Sequence, residues 1–245
     1  MFKLTRLLID PRPHSGAWNM AVDELLLEAA ITEGVSTLRL YEWDVPTVSI
    51  GHFQAANDPV VRERFPKLPV VRRLSGGGAI LHHHELTYSL AMAPGHPLAA
   101  DPTTVYAIVH MAIIRVLNTL GVASIHMRGD AVQNEREPFL CFGRGDPRDL
   151  VIDHHKVLGS AQRRRRGAVL QHGALLLRQS LHAPEFPGLF ELAGLDAQPS
   201  NLTSALAQEI WPVLRMPESL PSPAPLTTTE AQQAERLAAD YLVSG

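Results

Sequence analysis

Arg72-Arg73-Leu74-Ser75-Gly76-Gly77-Gly78-Ala79-Ile80-Leu81-His82-His83-His84-Glu85-Leu86-Thr87-Tyr88-Ser89 decides how this chain is read, because ordinary packing does not ask for such a stretch. Val70-Val71 before the glycines and Ala79-Ile80-Leu81 after them are β-prone, which predicts two strands joined across Gly76, Gly77 and Gly78. A triple glycine there costs order and supplies no side chain to pack. It does supply bare N–H groups and room for a close approach, while Arg72 and Arg73 add planar cations beside it. The combination suits an anionic or carbonyl-bearing ligand with a slim tail. A glycine β-bulge with solvated arginines is the alternative. The spacing fits neither a P-loop, which needs Gly-Lys-Ser/Thr, nor a dinucleotide fingerprint.

Upstream, residues 4–9 predict a strand and residues 18–31 a helix ending near Gly34. Trp18, Val22, Leu25, Leu26 and Ala29 recur at helical spacing, with Asp23, Glu24 and Glu28 between them. Residues 37–41 and 47–50 are short β-prone runs split by Asp44-Val45-Pro46, which predicts a hairpin. A short helix is expected within 57–65. Downstream, 86–91 predicts a strand, and Asp101-Pro102 caps a long apolar-faced helix that closes at Gly121. Residues 122–127, 150–152, 156–159 and 169–177 complete the strands, with a polar loop over 128–138. The expected fold class is α+β, a mixed and mostly antiparallel sheet packed with helices.

The 245 residues are enough for a substantial core, and 45% hydrophobic with 19% charged residues is an ordinary globular composition. Pro217, Pro221, Pro223 and Pro225 mark a stiff segment. The expected organisation is a catalytic domain over 1–215, a Pro-rich linker over 216–228 and a C-terminal helix over 229–245, packed back or standing as a small subdomain. A net charge of −3 argues against a dedicated nucleic-acid binder. No apolar run reaches the ~18 residues of a membrane span. Residues 1–10 carry no secretory apolar segment, so no membrane association and a cytoplasmic location are expected.

A second unusual cluster lies downstream: Cys141, Asp149, Lys156, Gly159-Ser160-Ala161-Gln162, Arg163 to Arg166, and Gln171-His172-Gly173. A lysine at a strand start followed by small residues places one cation in a confined space, where it can hold an acyl carbonyl or phosphate or move protons. The single cysteine excludes an internal disulfide and is either packing or a nucleophile poised by a nearby cation. Of the three histidines, only His82 and His84 share a strand face and no third ligand is evident, so no metal site is expected. The four arginines are expected in a solvated loop, or as a docking patch for an acidic partner.

Four pieces together resemble the biotin/lipoate A/B protein ligase superfamily, which includes lipoate–protein ligases and octanoyltransferases. They are Asn19-Met20-Ala21-Val22-Asp23-Glu24, Gly51-His52-Phe53-Gln54, the stretch 72–89, and 149–177 with its Lys156-Val157-Leu158-Gly159-Ser160-Ala161-Gln162 core. Cys141-Phe142 upstream of Asp149 and Lys156 is similar to the octanoyl-[acyl carrier protein]:protein octanoyltransferases that keep a nucleophile in this loop. The resemblance implies a ligase-like catalytic domain with Cys141 and Lys156 catalytic. It implies that Arg72, Arg73, Ser75, Gly76, Gly77, Gly78, His82, Gly159, Ser160, Ala161 and His172 contact the substrate. Acyl carrier protein would be the donor, and lipoyl domains of 2-oxoacid dehydrogenases or the glycine cleavage H protein the acceptors, with no cofactor. A ligase using ATP and Mg2+, or a non-catalytic acyl-binding homologue, are the alternatives. The sequence departs from the family pattern at His83-His84 and His154-His155, where Asp-Gly and Gly-Arg are usual, although histidine tolerates positive φ better than most residues.

Overall fold

The computed structural model describes residues 4–129, 140, 145–196, 199–214 and 220–243. The larger sheet has seven strands in the order β1 (Leu4–Ile9), β2 (Val35–Tyr41), β6 (Glu85–Met92), β10 (Ala168–Leu176), β9 (His155–Arg165), β8 (Leu150–Ile152) and β7 (His126–Met127). β1 and β2 run parallel, and every other pair in it is antiparallel. A three-stranded sheet places β3 (Thr47–Ile50) between β4 (Val70–Arg72), parallel to it, and the antiparallel β5 (Ile80–His82). This is the expected mixed, mostly antiparallel α+β architecture.

The expected hairpin over 37–50 does not form. β2 is paired along both edges, to β1 and to β6, so β3 has no edge there and enters the smaller sheet. The strand expected over 122–127 shortens to β7. The Val122 N–H closes back onto Leu117 O at the helix end, which keeps the start of that segment out of the sheet.

α1 (Gly16–Thr32) starts at Ser15, whose hydroxyl accepts from the Trp18 N–H. It packs on one face of the larger sheet, covered in turn by α7 (Thr228–Tyr241). α4 (Pro102–Thr119), capped by Asp101, and α6 (Leu202–Ile210) cover the other face. The last helix therefore packs back onto α1: Tyr241 donates to Glu24, Arg6 pairs with Glu230, and the Val243 N–H bonds to Val70 O. The proline-rich stretch is anchored as well, through Ala224 N–H to Leu7 O. Among the described residues no helix is long and apolar enough to cross a membrane.

Central strand β6 explains where the site lies. Leu86, Tyr88, Leu90 and Met92 alternate into the core under α4 and α6. Glu85, Thr87 and Ser89 point to the opposite face, yet are as buried as the leucines. Polar groups on a buried face need partners, and these are supplied by α1 and the smaller sheet.

Candidate active site between the two sheets

A cavity of about 310 Å3 lies between the smaller sheet and the β6–β10–β9 face of the larger one. Of the residues singled out in the sequence, Arg73, Gly76, Gly77, His82, Lys156, Gly159, Ser160, Ala161 and His172 line it. Arg72, Ser75 and Gly78 stand behind that lining. Cys141 lies outside the described residues. Leu140, the residue before it, is bridged to Ala79 next to the glycines.

The glycine wall is built from backbone and held by the arginines. Arg73, 2% exposed, donates to Ser49 O at 3.0 Å and to Gly76 O and Gly78 O at 2.7 Å each. Arg72 Nη1 reaches Gly51 O, His52 O and Gln54 O at 3.1, 3.0 and 2.7 Å. Five donors on a planar fork suit such carbonyl clamping. Gly51 must lack a side chain, since its Cβ would stand 2.1 Å from Gly77 O. Gly77 has φ +95°, a conformation that side chains resist.

The opposite wall presents side chains. Lys156 Nζ, at the start of β9, is 2.9 Å from Asp149 Oδ2, with both side chains 5% exposed. Burial pushes the Asp149 carboxyl above its ordinary value, while the Lys156 ammonium pulls it back. Gly159 is the companion this lysine needs: a Cβ there would lie 2.4 Å from Lys156 Cε. The tight turn before the lysine survives its histidine, since Asp153 and His154 take φ of 47° and 69°; His84 does the same at 54°.

Three histidines are each locked by a serine. His172 Nε2 is 2.6 Å from Ser75 Oγ, and its Nδ1 is 3.3 Å from Asp23 Oδ2. The order Ser–His–Asp suggests a nucleophilic triad, but Ser75 is 1% exposed and off the cavity, so the chain orients the His172 ring. Burial raises the Asp23 carboxyl; the His172 hydrogen bond, the Arg39 charge and the Ser89 hydroxyl more than offset this and hold it below its ordinary value. His82 bonds Ser49 Oγ and Glu85 Oε1, both at 2.7 Å, and stacks on Trp43 at 3.8 Å. His110, on α4, faces the Arg148 carbonyl through Nδ1, so its Nε2 accepts from the Ser160 hydroxyl at 2.7 Å. Burial holds His110 down at about 4, so it stays neutral at physiological pH.

Sequence reading missed several lining residues, among them Met20, Tyr41, Trp43, Thr87 and Tyr106. It also took Asp23 as one of the polar residues between the apolar stripe of α1. In fact Asp23 is 1% exposed and, with Asp10 and Asn19, surrounds the buried Arg39 guanidinium. The signal available was the polar alternation of Glu85, Thr87 and Ser89 on a strand too apolar to be an edge. Arg163 to Arg165 extend β9 instead of forming a loop, because β9 pairs with β10 up to the Arg166-Gly167 turn. Arg165 pairs with Glu24 and Glu28 on α1. The other histidine neighbour, His83, bonds Ser180, and among the described residues no group of three or more potential ligands is gathered to hold a metal ion.

Residues 15–206 match the profile of the lipoyl protein ligase A/B catalytic domain. Octanoyltransferase LipM of Kyrpidia tusciae is 34% identical over 257 aligned positions, covering 93% of each chain. Octanoyltransferase LipM of Brevibacillus brevis is 39% identical over 173, covering 66% of this chain and 62% of that protein. Lipoate-protein ligase A bound with ATP superposes with a TM-score of 0.72 at 21% identity, over 97% of this chain and 95% of that one. A bi-partite lipoate protein ligase from Thermoplasma acidophilum gives 0.66 at 21%, over 96% and 92%. The ligase likenesses establish a shared fold.

Proposed function

The chain belongs to the lipoyl protein ligase A/B catalytic-domain family, and from that premise we propose that it transfers an octanoyl group from acyl carrier protein to a lysine of a lipoyl domain, through a thioester on Cys141. The observation that carries this reading is the cavity itself. At about 310 Å3 it sits at the small end of ligand pockets, ~300–1,000 Å3, with apolar lining from Met20, Trp43, Ile80 and Ala174 and one buried lysine at its wall. That is the shape of a slim acyl tail ending in a polarised carbonyl. Identity to octanoyltransferases over 93% of both chains supports the transfer over ATP-driven ligation.

In the first step the Cys141 sulfur attacks the carrier thioester; its S–C bond forms, the pantetheine C–S bond breaks, and the pantetheine thiol leaves with a proton. In the second, the acceptor amine attacks the Cys141 thioester, an amide forms and the cysteine thiol is regenerated with the proton lost by the amine. Splitting the transfer makes each step easier. Lys156 donates to the carbonyl oxygen as charge develops on it, with Asp149 fixing the ammonium. Arg73 acts at one remove, holding Gly76 and Gly78 so that the glycine wall keeps its gap. No cofactor takes part.

The test is to weigh an apo lipoyl domain by mass spectrometry after incubation with this protein and either octanoyl-carrier protein or lipoate with ATP. A mass gain of one octanoyl group with carrier protein and no ATP is the expected result. Modification only with lipoate and ATP would make the chain a ligase, and none in either case would make it a binding protein.

A further inference from the structure

Phe53 is 85% exposed, yet the loop that carries it is among the most tightly tied in the molecule. Arg72 clamps three of its carbonyls, the Gly51 N–H bonds Gln54 Oε1, the Gln54 N–H returns to Gly51 O, and the His52 N–H bonds Ser75 O. An apolar ring carried into water on a tied backbone gains little for the fold. An exposed aromatic on a pre-organised backbone is, however, what binding hot spots favour. The ring stands at the cavity, since a Cβ on Gly76 would meet it at 3.9 Å.

The surroundings are basic. Along β9 the odd-numbered residues share a face, so Arg163 continues the row of Gly159 and Ala161, which line the cavity. Arg165 on that row is matched by Glu24 and Glu28, whereas Arg163 has no carboxylate partner among the described residues. His52, stacked edge-on against Phe53, has its proton affinity lowered first by burial and then by the charges of Arg163, Arg72 and Arg165.

We propose that Phe53 and Arg163 form the docking surface for the acceptor, a compact acidic domain that presents its lysine on a narrow turn. This rests on the acyl-transfer reading above. Reach selects the acceptor over the donor. A lysine amine lies only roughly 6 Å from its own Cα by bond lengths, so the acceptor's backbone must come to the mouth. A carrier protein delivers its acyl group on a flexible arm several times longer, and its body can stand off. Charge complementarity selects an acidic face.

Binding and turnover are measured separately, on the full chain. Binding of an acidic apo lipoyl domain is titrated by interferometry at low and high salt. Octanoyl transfer is followed to the same domain and to hydroxylamine, a small acceptor with no surface. Phe53→Ser and Arg163→Ser should each weaken domain binding and raise its KM by about tenfold or more, the scale of a hot-spot loss. Arg163→Ser should also flatten the salt dependence. Transfer to hydroxylamine, counted above the uncatalysed cleavage of the carrier thioester in an enzyme-free control, should stay within about twofold, which also shows that the variants fold. Unchanged binding in both variants overturns the surface, as does an equal loss with both acceptors, or a Phe53-dependent dimer in sedimentation with KM unmoved. A wild-type chain that binds the domain through Phe53 but transfers nothing would support the surface while overturning the reaction.

Discussion

The two walls of the cavity are built in opposite ways. On the side of the smaller sheet the wall beside Ile80 and His82 is backbone: Gly76 and Gly77 give up side chains, and Arg72 and Arg73 direct donors to six different backbone carbonyls to hold it. On the larger sheet the wall is side chains: Lys156, Ser160 and His172 project from β9 and β10, each with a partner behind it. The two arginines and the lysine are all cations beside a cavity, and their residue types alone suit any of them to an acyl carbonyl. The structure separates them by what they are spent on. In the proposed reaction the glycine wall sets shape, and the lysine wall supplies chemistry.

That division is broken most severely at Lys156. Lys156→Arg keeps the charge but replaces a compact amine by a wide fork in a pocket that already presses on Gly159. Transfer should fall by about 100-fold or more, on the scale of a lost acid–base or oxyanion-stabilising group, with melting temperature nearly unchanged. An arginine variant with ordinary kcat would put the lysine among the structural cations, with Arg73.

Smaller effects sharpen the other wall. Gly77 is a poor probe of the acyl tail. A valine there is strained by the positive φ and meets Arg73 at 3.0 Å, so Gly77→Val should lose roughly 1–3 kcal/mol of stability whatever it does to binding. Gly76 faces open space, and the Phe53 ring at 3.9 Å is ordinary contact. Gly76→Val should raise the KM for octanoyl donor by about tenfold with a melting shift much smaller than that of Gly77→Val. Thermal melting with and without donor reads both. Equal destabilisation by the two variants would mean that the glycines serve only the bulge.

Much of this was legible in the residues. Asp101-Pro102 with its apolar face marked α4, and the β-prone runs around the glycines marked β4 to β6, because caps and propensity are local. The lysine and glycine motifs meet in one cavity, as the family resemblance implied. Pairing was less legible: β2 and β3 are separated by a turn signal that a hairpin would share, and only the occupation of both edges of β2 decides against it. Asp23 and Thr87 were hidden for a similar reason. Polar residues between apolar ones read as solvent-facing, and nothing local says that a second layer covers them. The arginines from 163 to 166 looked like a loop by composition. Their extended pairing with residues across the Arg166-Gly167 turn is what makes them strand, and it sends alternate guanidinium groups to opposite faces.

The thioester route stands most directly on Cys141. Brief mixing of the protein with octanoyl-carrier protein, acid quenching and intact mass measurement should find one octanoyl group on the chain, mapped to Cys141 and removed by hydroxylamine. Cys141→Ala should show neither the adduct nor transfer to a lipoyl domain. An unacylated wild-type chain that still modifies the domain, or a Cys141→Ala protein with full activity, would contradict the thioester route.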